Sequence, residues 1–279
     1  MTVAISDKGK HFRDLHHCEG AFIMPNPWDA GTARILASLG FKALATTSAG
    51  MAFALGKPEG RASRDDVLAH CRMMALATDL PVSADLEKGF GDGPEAVAET
   101  IRAAAAVGLA GCSIEDHTNR PEDPIFSFDL AVERIHAAVE ACQGLDQDFV
   151  LTARAENLLW DRPDIDDTIR RLQAFEKAGA DVLYAPGLHD LEVIRTVCAA
   201  VDKPVNVIMG MPGITFGINE LAEAGVKRIS VGSALARSAL GTFLRAGNEM
   251  AEKGTFTFAE NAAGFDELQT IFSTFEQHR

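Results

Sequence analysis

The sequence predicts an α/β fold, a (β/α)₈ barrel with a C-terminal helical extension. Three observations carry that expectation. Eight short β-like runs alternate with amphipathic helical stretches. Several of those stretches pass through a glycine into the next run, as in Leu39-Gly40-Phe41, Val107-Gly108-Leu109, Ala178-Gly179-Ala180 and Ala224-Gly225-Val226. Glycine takes the left-handed helix-ending conformation without steric cost. An open doubly wound sheet, the alternative, needs a glycine fingerprint after its first strand, and Pro25-Asn26-Pro27-Trp28-Asp29 is not one.

The elements follow in chain order. Residues 22–25 form the first run and 30–39 its helix; 43–48 precede the helix at 64–78; 82–86 precede 94–107. The fourth unit is 111–115 with 130–142, and the fifth 149–154 with 165–178. Units six to eight are 182–185 with 191–200, 205–209 with 218–224, and 228–231 with 234–252. Ser63 and Asp164 stand where helix starts need a side-chain acceptor. No linker or low-complexity stretch interrupts the pattern, so residues 1–279 read as one domain. Its tail, 255–279, carries Phe256, Phe258, Phe265, Leu268, Ile271, Phe272 and Phe275, too apolar for a free end. It is expected to pack as a helical segment on the barrel or on a neighbouring subunit.

Composition narrows the function. The chain has 47% hydrophobic residues, 24% charged, and a net charge of −14 with no basic cluster. Nucleic-acid binding and attraction to anionic membranes are therefore unsupported. Cys18, Cys71, Cys112, Cys142 and Cys198 are scattered and odd in number, which argues against a disulfide framework or zinc knuckle. Residues 1–20 are polar and mixed in charge, and no apolar run approaches a membrane span. A cytoplasmic protein is expected.

Chemistry concentrates where barrel strands end. Pro81-Val82-Ser83-Ala84-Asp85-Leu86-Glu87-Lys88-Gly89-Phe90-Gly91-Asp92 reads as a strand closing on two carboxylates and a glycine-rich turn. Residues two apart on a strand share a face, so Asp85 and Glu87 project together. Two like charges on one face call for a proton or a cation between them. A hard ion such as Mg²⁺ meets that need. Gly111-Cys112-Ser113-Ile114-Glu115-Asp116 brings a second acidic pair to the same mouth. Other strand ends supply Thr47 and Ser48, Arg154, and Asn206 with Met209. The set suits a small anionic substrate held between a metal ion and the rigid fork of Arg154.

In family order, Thr47-Ser48-Ala49-Gly50, Leu55-Gly56-Lys57-Pro58-Glu59-Gly60, Ala84-Asp85-Leu86-Glu87-Lys88-Gly89-Phe90-Gly91, Ile114-Glu115-Asp116 and Ala153-Arg154-Ala155-Glu156 resemble the isocitrate lyase/phosphoenolpyruvate mutase superfamily. The resemblance implies an enzyme that makes or breaks C–C or P–C bonds beside a 2-oxo acid through an enolate, with Mg²⁺ or, in its stead, Mn²⁺. It implies Asp85, Glu87, Glu115 and Glu59 as the metal set; Glu87 and Glu59 stand where the family usually has aspartate. Arg154 binds substrate and steadies negative charge, with Glu115 and His117 as further catalytic candidates. Ser48, Ala49 and Gly50 bind the 2-oxo acid carboxylate. The resemblance also implies a homo-oligomer, a tetramer, that exchanges C-terminal helices.

The gate departs from the lyase pattern. Isocitrate and methylisocitrate lyases carry a Lys-(Lys/Arg)-Cys-Gly-His loop after the Glu-Asp pair. Here the segment is His117-Thr118-Asn119-Arg120-Pro121-Glu122-Asp123-Pro124-Ile125-Phe126, without cysteine and without the Lys-Thr-Asn gate of phosphoenolpyruvate mutase. The expected reaction is C–C cleavage of a small 2-oxo or 2-hydroxy di- or tricarboxylate. Oxaloacetate-type decarboxylation, P–C cleavage of the phosphonopyruvate hydrolase or phosphoenolpyruvate mutase kind, a phosphosugar aldolase or isomerase, and non-catalytic 2-oxo acid binding stand as alternatives.

Overall fold

A computed structural model describes residues 5–276. Eight parallel strands make one sheet in the order β1-β8-β7-β6-β5-β4-β3-β2. They are β1 (Phe22–Met24), β2 (Leu44–Ala45), β3 (Val82–Asp85), β4 (Gly111–Glu115), β5 (Val150–Arg154), β6 (Val182–Tyr184), β7 (Val205–Ile208) and β8 (Arg228–Ser230). The seam between β1 and β2 is closed by the Ala45 N–H donating to the Pro25 carbonyl at 3.0 Å. Asn26 spans the same seam. Its Nδ2 donates to the Thr46 carbonyl, and its Oδ1 accepts from the Val231 and Gly232 amides. The result is a nearly closed (β/α)₈ barrel.

The helices are α1 (Ile5–Leu15), α2 (Ala30–Ser38), α3 (Ser48–Ala54), α4 (Arg64–Ala77), α5 (Pro94–Ala106), α6 (Phe128–Gln143), α7 (Ile165–Ala178), α8 (Leu191–Ala199), α9 (Ile218–Glu223), α10 (Ala234–Lys253) and α11 (Phe265–Glu276). Ser63 and Asp164 do cap α4 and α7, accepting from the Asp66 and Asp167 amides. Gly40, Gly108, Gly179 and Gly225 all have positive φ, from 87° to 108°.

Two helices differ from the sequence expectation. The run expected over 43–48 stops at Ala45, and Ser48 opens α3. Thr47 causes the turn: its backbone is extended and its hydroxyl accepts the Gly50 N–H at 3.2 Å, which starts a helix. The polar N-terminal stretch forms α1, which closes the barrel floor. Phe12 on α1 and His16, the residue just past its end, are buried there. Arg13 fastens α1 to Asp148 and Asp181 at 3.0 and 2.6 Å.

At the other end of the chain, α11 lies against α2, with Arg34 over the Phe275 ring at 5.6 Å. Much of the C-terminal apolar surface stays open in the single chain: Phe243, Phe256 and Phe265 are 74%, 66% and 76% exposed. No helix among the described residues is long and apolar enough to cross a membrane.

The first residue of β4 shows how tightly the floor is packed. A Cβ on Gly111 would stand 2.4 Å from the Val150 carbonyl oxygen and 3.0 Å from the Phe12 ring. Backbone on one side and a wedged aromatic on the other leave no room to relax. Gly111→Ala is expected to cost about 1–3 kcal/mol, read as a lowered midpoint in urea unfolding.

Candidate active site

Strand ends β2 to β5 and the loops after them bring eight polar side chains to one mouth. Arg154, the last residue of β5, is the hub. Its Nη1 lies 2.9 Å from Asp85 Oδ1, and its Nη2 lies 3.1 Å from Glu115 Oε2 and 2.7 Å from Glu156 Oε1. Its Nε also donates to Glu156 at 2.8 Å. The Tyr184 ring packs against the guanidinium at 5.1 Å. Burial opposes a charge here, but Glu156, Glu115 and Asp85 overcome it and hold the guanidinium well above its usual range. Burial pushes the Glu156 carboxyl up, to about 8, against the pull of Arg154.

Asp85 ends β3, and its second oxygen accepts from the Ser48 hydroxyl at 2.8 Å and the Ser48 amide at 3.2 Å. Ser48 Oγ also reaches Glu59 at 3.0 Å. Strand alternation does not place Glu87, because β3 ends at Asp85 and Glu87 has φ +49°. The left-handed turn and the Glu115 N–H, which donates to the Glu87 carbonyl at 3.0 Å, still keep it at the mouth. Burial first, then Asp85, Glu115 and Glu59, push the Glu87 carboxyl up to about 7, partly offset by a hydrogen bond from Asn119. Burial and the same neighbours raise Glu59 as well, against its Ser48 hydrogen bond.

One cavity therefore collects Ser48, Glu59, Asp85, Glu87, Glu115, His117 and Arg154. Five carboxylates, counting Glu156, face one arginine. Among the described residues no three His, Cys, Asp or Glu side chains already stand in ligating geometry. The donor chemistry fits Mg²⁺ nonetheless, because that ion keeps several waters and takes only one or two carboxylates directly.

The remaining candidates divide. Thr47, Ala49 and Asn206 line an adjoining cavity with Ser48, Asp85 and Arg154. Of the three amides expected to hold a carboxylate, Ser48 is committed to Asp85 and Gly50 to Thr47. Only the Ala49 N–H is without an acceptor among the described residues. Asn206 is not at the mouth. It is the second residue of β7, fully buried, donating to Ser230 Oγ at 3.0 Å and accepting from Arg228 Nε at 2.8 Å. Asp116 is a positioning group: it accepts the Glu156 amide at 2.8 Å and pairs with Arg171 at 3.0 Å.

His117 lies 3.7 Å from Glu115 Oε1 and stacks on Trp160, with ring centres 3.8 Å apart and planes 10° apart. The gate it opens is a closed hairpin. His117 bridges Ile125, and the Thr118 amide donates to the Pro124 carbonyl. Sequence reasoning missed Tyr184, Leu159, Trp160 and Arg228. Tyr184 had a usable signal as the last residue of β6. Leu159 and Trp160 lie in an irregular loop after a short 3₁₀ turn (Asn157–Leu159), where no periodicity marks them.

The phosphoenolpyruvate phosphomutase family model matches residues 12–251. The chain belongs to that family. Within its superfamily of lyases and mutases this chain is an enzyme, and relatives of several activities resemble it. A Burkholderia cenocepacia structure described only as a lyase/mutase is 56% identical, with a TM-score of 0.94 over 96% of both chains. Escherichia coli 2-methylisocitrate lyase is 32% identical over 80% of this chain and 78% of that protein. The structure of a 2,3-dimethylmalate lyase, of the same superfamily, is 27% identical with a TM-score of 0.85, covering 100% of this chain and 97% of that one.

The crowding of carboxylates sets a pH dependence. Glu87 has a folded value of about 7, above its unfolded one, so ionising it costs folding free energy. That stability is fully present at acid pH and is lost as pH rises toward and through 7. Without divalent cation, Glu87→Gln should match wild type at pH 4 and exceed it at pH 8 by about 1–3 kcal/mol, measured by urea unfolding.

Proposed function

We propose that the protein is a Mg²⁺-dependent lyase acting on a small 2-oxo or 2-hydroxy acid through an enolate. The observation that carries this is the surplus of carboxylates around Arg154. One guanidinium neutralises part of Asp85, Glu115 and Glu156, while Glu59 and Glu87 remain in the same cavity with raised pKa values. Asp85, Glu87, Glu115 and Glu59 would hold the cation, directly or through water. When bound, it supplies Lewis acidity toward the developing oxyanion.

The chain's own groups do the rest. The Ala49 N–H takes the 2-oxo acid carboxylate, while the Ser48 hydroxyl stays with Asp85 and Glu59 beside it. Arg154 is already fixed by Glu156 and Tyr184, so it meets negative charge without reorganising. Glu156 is in turn placed by Asp116 through its amide. The Glu115–His117 pair, with His117 stacked on Trp160, is a proton-handling group at the mouth, beside Glu87. General acid–base help contributes about 10²–10⁴-fold, and this gate offers His117, Asn119 and Arg120 in place of a cysteine. Cleavage of isocitrate or methylisocitrate, which needs protons moved at both fragments, is therefore disfavoured. A simpler acid, including an oxaloacetate-like one that only loses CO₂, is favoured.

The open apolar faces of α10 and α11 support a homo-oligomer, most simply a tetramer. Light scattering at micromolar concentration should give a multiple of the 29.8 kDa chain mass, and removal of residues 255–279 should cause dissociation or aggregation. A monomer of the full chain rejects the assembly.

A panel of oxaloacetate, branched malates, isocitrate and phosphonopyruvate, assayed with Mg²⁺ by product mass, tests the reaction. Isocitrate should remain below ~10⁴ M⁻¹s⁻¹ in kcat/KM. Asp85→Ala should abolish metal-dependent turnover in a folded protein. Arg154→Lys should lower both affinity and kcat, since an ammonium cannot reproduce a two-pronged contact. No turnover of any acid, or turnover untouched by chelator, would reject the lyase reading.

A further inference from the structure

One row of paired residues descends from the mouth to the barrel floor. Glu115 pairs with Arg154, Arg154 with Tyr184, Tyr184 with Asn206, and Asn206 with Arg228. Arg154 and Tyr184 end their strands, Asn206 is second in β7, and Arg228 is first in β8. Strand tilt thus carries a second arginine beneath the first.

Arg228 is 3% exposed. Its Nε donates to Asn206 Oδ1 at 2.8 Å, its Nη2 to Thr152 Oγ1 at 2.9 Å, and its Nη1 approaches His16 Nε2 at 3.3 Å. His16 cannot be a counter-charge. Its Nδ1 faces the Phe12 carbonyl at 2.8 Å and so carries the proton, leaving Nε2 as acceptor. Burial and Arg228 hold that imidazole down at about 3. Burial also lowers Arg228, to about 9, which leaves it charged at neutral pH. Among the described residues no carboxylate pairs with it. A buried arginine without a counter-ion is costly, and proteins rarely keep one unpaired.

The space above it is equally unusual. Barrel interiors are normally filled by bulky branched side chains. Here the walls between the two arginines include Ala45, Ser83 and Ser113, and a cavity of about 240 Å³ runs from Ser48 and Arg154 down to Arg228. The Ser83 and Ser113 hydroxyls make no hydrogen bond to described residues, so they are open to an occupant.

We infer that this well is a carboxylate subsite, and that the substrate is a dicarboxylate whose far carboxylate enters the barrel to meet Arg228. The inference rests on the reading that the near end of the acid binds at Ala49 and Arg154. Thr152, which Arg228 touches, is two residues below Arg154 on β5, about 6–7 Å along the strand. A four-carbon dicarboxylate measures about 4 Å between its carboxyl carbons. With a hydrogen bond of roughly 3 Å at each end its reach is about 10 Å, longer than that rise, so the acid spans the well obliquely. A monocarboxylate leaves Arg228 without an anion.

Malate and 2-hydroxybutyrate share a 2-hydroxy acid head and four carbons, and differ in the far carboxylate. Titration calorimetry with Mg²⁺ on the full chain should show malate binding at least tenfold tighter. Arg228→Met should bring that ratio close to one, and Arg228→Lys should leave it in between. A ratio near one in wild type, or equal losses for both ligands in Arg228→Met, overturns the subsite. If Arg228→Met does not fold, the wild-type ratio and a malate-bound crystal structure decide. A far carboxylate within hydrogen-bond distance of Arg228 supports the well, and one turned toward Trp160 overturns it. Turnover followed in parallel by product mass separates the two readings. Arg228-dependent binding without turnover rejects the lyase and keeps the subsite; turnover without Arg228 dependence does the reverse.

Discussion

The candidate active site is organised by the charge on Arg154. Taking a guanidinium out of water is expensive, and only excellent geometry with several acceptors compensates for it. Glu156 binds it from its own strand end, Glu115 from β4 and Asp85 from β3, so the ion ties three neighbouring strand ends together. The same attraction draws acidic side chains closer than their mutual repulsion would allow. What remains is a mouth with excess negative charge, which is the electrostatic condition for taking up a cation. Removing Arg154's charge would therefore alter architecture and chemistry together.

Behind that centre lies a second layer of fixed charge. Asp116 points away from the mouth, where it holds the Glu156 amide and the Arg171 guanidinium. Arg134, fully buried on α6, donates to the carbonyls of Lys88, Gly91 and Asp92 and lies 4.3 Å over the Phe126 ring. The loop after β3 thereby owes its shape to a cation from a distant helix. Backbone irregularity at Glu87 and Phe90, both with positive φ, is kept by this support.

Much of this was legible in the sequence, for reasons that differ by element. The eight strands announced themselves by short apolar runs, and the glycines after helices marked their ends. Asp85, Glu115 and Arg154 followed from the rule that barrel chemistry sits at strand ends. The α3 helix was hidden because Thr47-Ser48 extends an apolar run smoothly; only the hydroxyl bond to Gly50 turns it. The α1 helix was hidden because the buried positions described on it and just past its end, Lys8, Gly9, Phe12 and His16, are mostly polar or small and give no apolar stripe. Glu87 reached the mouth by a left-handed turn that alternation cannot foresee. Asn206 and Arg228 depend on strand tilt, which links residues at different heights and leaves no local trace. Arg228 opens the expected run 228–231 with nothing local to mark it as buried, yet it lies inside the barrel.

The gate hairpin and the loop after β3 are joined at two places. Lys88 Nζ donates to the Thr118 carbonyl at 2.9 Å and pairs with Asp92, while Arg120 pairs with the same Asp92 at 2.5 Å. Asp92 is half exposed, so each of these ion pairs is worth at most about 1 kcal/mol. The clasp is thus strong enough to hold two loops in register and weak enough for thermal motion to undo. Mobile ions screen such pairs within about 10 Å at 0.1 M. Dissolved salt therefore loosens this outer clasp between the two loops and leaves the buried charges beneath it untouched.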